Sequence, residues 1–142
     1  MVRFAEVAIK RLGGDAAVTY QVGVGGYRPT SGDSYEVVSR PDYQTLLEKC
    51  DLFITHAGVG GIVSGVSLGK PVIIMPRLAS FGEHRNDHQL ATASAVSGAV
   101  MVANTEQELG EFISAAYSNR HSSAVSASAL NRSFMERLSC YM

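Results

Sequence analysis

Cysteine is scarce in this chain, neither sign of charge is in excess, and long apolar runs are missing. Only two cysteines occur, Cys50 and Cys140, and their spacing suits neither a metal centre nor a disulfide framework. They fit a reduced cytoplasm. Lys and Arg number 12 against 13 Asp and Glu, a formal net charge of −1. A sequence-independent nucleic-acid binder needs a basic excess to neutralise phosphate, so the balance argues against that class. Basic residues do not gather into a run that would hold an anionic membrane surface. No apolar stretch approaches the ~20 residues of a membrane span. The first residues show a polar, charged helical pattern in place of a signal peptide's apolar core. The expectation is a soluble, cytoplasmic protein.

What is present is globular. Hydrophobic residues make up 46% of the 142 and charged residues 18%, enough for one domain spanning 1–142 with a real core. Val2, Ala5, Ile9 and Leu12 recur at helical spacing until Gly13-Gly14 stop the helix. Ala16 to Val22 reads as a strand, Gly23-Val24-Gly25-Gly26 as a loop, and 27–34 as further loop. Glu36 to Ser39 reads as a second strand, and Pro41 suits the first turn of a helix carrying Leu46 and Leu47. Leu52 to Thr55 and Val72 to Met75 are apolar throughout, as in strands covered on both faces. Between them lie a helix from about Gly60 to Leu68 and a Gly69-Lys70-Pro71 turn. A loop from Pro76 to about Arg85, a helix through Ala95 and a last strand from Ala99 to Val102 follow. Thr105 and Glu108 form a capping box for a helix to about Tyr117. A Ser-rich stretch near 122–128 leads into a final helix with Leu130, Phe134 and Leu138 on one face. Strands alternating with helices imply βαβ units and a parallel sheet, an α/β, Rossmann-like, three-layer fold.

Ligands of such sheets bind at the carboxyl ends of the strands. Strand 52–55 delivers His56-Ala57-Gly58-Val59-Gly60-Gly61 to that edge. Glycines let backbone approach a ligand closely, and the helix that follows offers free N–H groups and a positive dipole end, so a diphosphate is a natural occupant. Tight turn geometry alone is the competing explanation for the glycines. The string is not G-x-G-x-x-G, because position 63 is Val, and not a P-loop, because Lys70 falls after the helix.

The densest polar stretch, Arg77 to Gln89, follows an apolar strand and opens a helix at the same edge. Its carboxylates and amides suit sugar hydroxyls, and Arg77 and Arg85 suit phosphate. His84 and His88 stand four apart and with Glu83 or Asp87 could hold a metal, though the pattern is not H-E-x-x-H. A solvated helix start capped by Asn86 or Asp87 is the simpler alternative.

Taken in order, His56-Ala-Gly-x-Gly, Gly69-Lys-Pro, Met75-Pro-Arg77 and Gly82-Glu-His-Arg-Asn-Asp-His-Gln89 resemble glycosyltransferase family 28. The similarity is to its C-terminal, donor-binding domain when encoded as a separate polypeptide. The split N-acetylglucosaminyltransferase of dolichol-linked glycan synthesis and bacterial exopolysaccharide homologues are of this kind. It runs from about Val2 to Tyr117 and is dense from Asp51 to Ala93. The resemblance implies a GT-B-type hexosyltransferase that uses a UDP-sugar, UDP-GlcNAc-like, on a lipid-linked acceptor, with no cofactor and no obligatory metal. It also implies a membrane-anchored partner subunit that supplies the acceptor-binding half, the catalytic base and the link to the cytoplasmic face of the membrane. Carried over by position, His56, Ala57, Gly58, Gly60 and Gly61 lie at the donor phosphates. Ser64, Arg77, Glu83, His84, Asn86, Asp87 and Gln89 lie at the sugar or ribose.

Two departures from the family pattern stand out. Relatives commonly carry a Glu five residues before the Gly of Gly69-Lys-Pro, where it grips the ribose diol, and here that position is Ser64. Relatives also open with an apolar strand and a Gly-containing loop, whereas this chain opens on what resembles the helix after them. The expected fold is therefore a Rossmann-like sheet lacking its usual first strand. Loss of a central strand would expose both of its neighbours. A truncated module that binds nucleotide or docks a partner without turnover is the alternative function.

Overall fold

In a computed structural model, residues 1–13, 16–76 and 100–119 are described. Helix α1 spans Val2–Leu12 and ends as expected at Gly13, whose φ of 63° is left-handed and whose N–H bonds to Lys10 O. Strand β1 is Thr19–Gln21, β2 is Asp33–Tyr35 and helix α2 is Arg40–Lys49. Strand β3 is Phe53–Thr55, helix α3 is Val59–Ser67 and β4 is Val72–Ile74. Strand β5, Met101–Val102, and helix α4, Glu106–Asn119, complete the described elements. The helix expected through Ala95, the Ser-rich stretch and the final helix lie outside the described residues.

Strands β3, β4 and β5 form one parallel sheet in that order, with Phe53 opposite Val72 and Ile73 opposite Met101. The alternation along β4 builds two cores. Val72 and Ile74 point to one face with Ile62 and Val66 of α3. Ile73 points to the other with Ala5 of α1 and Leu109 and Ile113 of α4. Helices on both faces of a parallel sheet make the three-layer, Rossmann-like α/β fold. Glycine brings the layers close. A Cβ on Gly65 of α3 would lie 2.7 Å from Val72 Cγ2 and 2.9 Å from Phe53 Cδ1.

The second strand is not where the sequence places it. Val37 and Val38 favour a strand over 36–39, but the ladder to β1 starts earlier, at Asp33 N to Val18 O (2.9 Å), straight after Gly32 turns the chain with φ 76°. Residue 32 also has no room for a side chain, since a Cβ there would meet Val18 O at 2.5 Å. The pairing is thus set by the turn, and Glu36 to Ser39 leave the sheet with Val37 exposed. Ser39 instead caps α2, accepting from Asp42 N, with Pro in the first turn as its sequence suggests. At α4, Glu108 N donates to Thr105 Oγ1, while the Glu108 carboxylate accepts from Asn104 N, one residue upstream of a strict capping box.

β1 and β2 pair in parallel as a separate two-stranded sheet. No helix connects them among the described residues; the chain crosses as a loop, and Glu6 of α1 fixes that loop. Its side chain is buried, and its carboxylate accepts from Tyr27 Oη (2.6 Å), Thr30 N (2.7 Å) and Thr30 Oγ1 (2.8 Å) while pairing with Lys10 Nζ at 2.8 Å. The hydrogen bonds from Lys10 and Tyr27 lead in holding the Glu6 carboxyl far below the usual range, against the opposing effect of burial. The same carboxylate raises the pKa of Tyr27, and burial followed by its charge raises that of Tyr20.

A depressed folded-state pKa contributes stability that is complete above the unfolded carboxyl's value of about 4.3 and is lost as pH falls below it. Glu6→Gln should therefore lower stability at neutral pH and flatten its fall on acidification. Urea unfolding at pH 7 and in the acid range checks this; an unchanged acid slope in the variant would show that Glu6 does not carry the effect.

Candidate functional site

The site builds outward from the carboxyl ends of β3 and β4. Thr55 lies opposite Ile74, and Met75 N donates to Thr55 O at 2.9 Å. The two strands therefore release their chains side by side, about 4.8 Å apart. One continues into His56 to Gly61 and the other into Met75 and Pro76, so the glycine turn and the chain leaving β4 share an edge, while the polar run from Arg77 lies outside the described residues.

Within the turn, Gly58 N bonds to His56 O at 2.7 Å, and Gly58 is the N-cap of α3 with extended dihedrals and no side chain to bond the helix. The first helical bond is Ile62 N to Gly58 O. The N–H groups just before it have no intrahelical acceptor, and they carry the positive end of the helix dipole. Ala57 is buried beneath the turn, while Val59 is exposed. The His56 ring is half-buried with Nδ1 3.4 Å from Met75 O, a long contact that sets the ring beside the ends of β3 and β4.

The glycines divide by what surrounds them. A Cβ on Gly58 or Gly60 would meet no described atom within 4 Å. A Cβ on Gly61 would lie 2.9 Å from Thr55 Oγ1, so Gly61 seats the helix on β3, one turn before Gly65 does the same. Gly61 therefore has a packing reason of its own, beside the role its place in the turn suggests. Ser64 sits on α3 one turn after Gly60, and its hydroxyl donates to Gly60 O at 2.8 Å. That bond occupies its only proton, leaving acceptor lone pairs for other groups.

Arg77, Glu83, His84, Asn86, Asp87 and Gln89 lie outside the described residues, as do Arg85 and His88. Two contributors escaped the sequence reading. Gly65 was legible as the second glycine of an i, i+4 pair on one helix face. Lys70 was not: its Nζ donates to Glu48 O at 2.6 Å, closing the end of α2, which gives Gly69-Lys-Pro an architectural role. Gly69 turns there with φ 66°. No group of His, Cys, Asp and Glu among the described residues is arranged to hold a metal ion.

A strand-borne glycine turn with an open helix start, adjoining the exit of the next strand, suits an anion bound at the sheet edge. The sequence profile of the glycosyltransferase family 28 C-terminal domain matches residues 3–139. The chain belongs to that family. Comparison with curated proteins gives no match. As a family 28 C-terminal domain, the chain is a donor-binding domain of a glycosyltransferase. Among the described residues no helix is long and apolar enough to cross a membrane.

The division of the glycines can be checked directly. Gly65→Ala should cost about 1–3 kcal/mol through overpacking against Val72 and Phe53. Gly60→Ala should be neutral or stabilise by up to about 1 kcal/mol, since it adds helix propensity where no described atom lies within reach of the new methyl group. Denaturant midpoints of the two variants decide it, and equal losses would mean that Gly60 too is packed against the fold.

Proposed function

We propose that this family 28 domain is the catalytic, donor-binding subunit of a hexosyltransferase. Its donor is a UDP-sugar of the UDP-GlcNAc kind, and its acceptor is lipid-linked, in polysaccharide or glycolipid synthesis. The observation that carries this reading is the start of α3, which has no side-chain cap and no described atom within 4 Å of a Cβ at Gly58 or Gly60, beside the chain leaving β4. A diphosphate over that helix start meets backbone N–H groups and the positive dipole end.

In the transfer, an acceptor hydroxyl oxygen attacks the anomeric carbon and the bond from that carbon to the phosphate oxygen breaks. UDP leaves with the electron pair, and a base takes the hydroxyl proton. Negative charge grows on the diphosphate as the bond breaks, so fixed N–H dipoles there favour the transition state over the bound donor. The chain needs no metal or cofactor in this scheme. Asn86, Asp87 and Gln89 grip the sugar or ribose hydroxyls, with Arg77, Glu83 and His84 beside them. The base and the acceptor site belong to a membrane-anchored partner subunit, which holds this cytoplasmic chain at the membrane.

Titration calorimetry with UDP and UDP-GlcNAc, with and without the partner, tests the donor half. Saturable binding is expected, weakened at least tenfold by Asp87→Ala or Gln89→Ala; no binding of any nucleoside diphosphate in either setting would overturn it. The split between the two sheets favours a second reading, a non-catalytic nucleotide-binding or docking module. Sugar transfer reconstituted with the partner, and lost in the same two variants, would reject that alternative.

A further inference from the structure

We infer that the outer edge of β2 docks a second copy of this chain, the two β2 strands pairing antiparallel about a twofold axis at Ser34. This contact stands apart from whatever the glycine turn binds. The ladder bonds give the orientation of the edge. Asp33 N donates to Val18 O and Tyr35 O accepts from Val22 N, so the backbone of Asp33 and Tyr35 is turned toward β1. Alternate residues of a parallel pair bond the neighbour, so the N–H and C=O of Ser34 point outward. Among the described residues β2 has no second neighbour, and all three of its residues are exposed. Open edges are commonly guarded by a Lys or a Pro, and the stretch from Gly32 to Ser39 has neither. An outward donor and acceptor on a small neutral residue is what an added strand needs.

The charges beside Ser34 select the occupant and its register. Antiparallel pairing about Ser34 lets the two Ser34 residues exchange both of their N–H···O bonds. Asp33 of each copy then lies opposite Tyr35 of the other, so neither carboxylate meets its own kind. A twofold one residue earlier would set the two Asp33 carboxylates directly opposite, and one at Glu36 would oppose the two Glu36 side chains. Like charges so placed are destabilising. A twofold at Tyr35 would need Glu36 in the ladder, whereas the strand ends at Tyr35. The Ser34 register is thus the one, among these, that β2 makes with itself without repulsion and without change of shape. It also sets the two Tyr35 rings, each 49% exposed, as diagonal neighbours on one face of the junction, within reach of each other. The pairing answers a weakness in the fold. β1 and β2 are two three-residue strands, marginal alone in water, and two copies joined at Ser34 make a four-stranded sheet in the order β1, β2, β2, β1. As an isologous contact it closes on itself at the dimer.

Analytical sedimentation of the full chain, over concentrations reaching about 1 mM, tests the contact. A reversible monomer–dimer equilibrium is expected. Position 34 faces itself across the twofold, so a charge placed there opposes its own copy. Ser34→Lys and Ser34→Asp should each weaken dimerisation by about fivefold or more, and an equimolar mixture of the two should restore it to the original strength or better. Ser34→Pro removes the outward N–H without touching a bond to β1, and should also abolish the dimer. Amide protection at Val22, whose N–H bonds Tyr35 O, should persist in all three variants and reports that the β1–β2 pair is intact. A chain that stays monomeric throughout the range would overturn the inference. So would a dimer indifferent to the substitutions, which would put the contact on another surface, or a Lys/Asp mixture that remains monomeric. Dimerisation lost only together with the Val22 protection would likewise overturn it, in favour of a structural effect.

Discussion

The Glu6 carboxylate is the contact on which the arrangement of the described residues depends. The β1–β2 sheet has little with which to hold itself in place: two three-residue strands, of which only Tyr20 is buried. An isolated pair of short strands is marginal in water. Its crossover is a loop, so it lacks the apolar helix that docks a βα unit. A buried carboxylate takes over that task. Burying the charge is costly unless it is paired and hydrogen-bonded, and here Lys10, Tyr27 and Thr30 supply the donors. Geometry is thereby imposed in one direction only, since a carboxylate needing those donors specifies where residues 27–30 must lie.

That contact also shows what a linear reading misses. Glu6 and Lys10 are an i, i+4 pair visible in the sequence, but Tyr27 and Thr30 come from a segment readable only as loop. The elements that were legible are those with local signals: the Gly13 stop, the Pro41 helix start, the continuous apolar runs of β3 and β4, and Thr105 with Glu108. β2 was displaced because Val37 and Val38 carry strand propensity, whereas pairing was decided by Gly32, whose left-handed turn and lack of side-chain room start the ladder at Asp33. Propensity yields to turn geometry where a strand is short and exposed.

The candidate site was legible in part for a related reason. His56 to Gly61 was readable because a strand–glycine–helix string needs only neighbours in sequence, and its edge follows from parallel topology. What each glycine does was not readable. A Cβ on Gly58 or Gly60 would meet no described atom, while Gly61 and Gly65 are the contact between α3 and the sheet. The helix start can be precise because its second half is seated: Gly61 against Thr55 and Gly65 against Phe53 and Val72 hold the axis of α3, and with it the direction of its free N–H groups.

Under the proposed function, Ser64 bears on how the site would be shared between nucleotide and diphosphate. A carboxylate on α3 would give a ribose diol two acceptors and a charge. The hydroxyl of Ser64 has spent its proton on Gly60 O and offers lone pairs alone. A neutral acceptor contributes less than a charged one, so a donor held here would draw more of its affinity from the diphosphate at the helix start than from the ribose. Such a balance suits transfer, because contacts at the diphosphate strengthen as the leaving group gains charge and contacts at the ribose do not. Under the proposed function, the helix start would then serve the step in which the bond breaks, more than the one in which the donor is recognised.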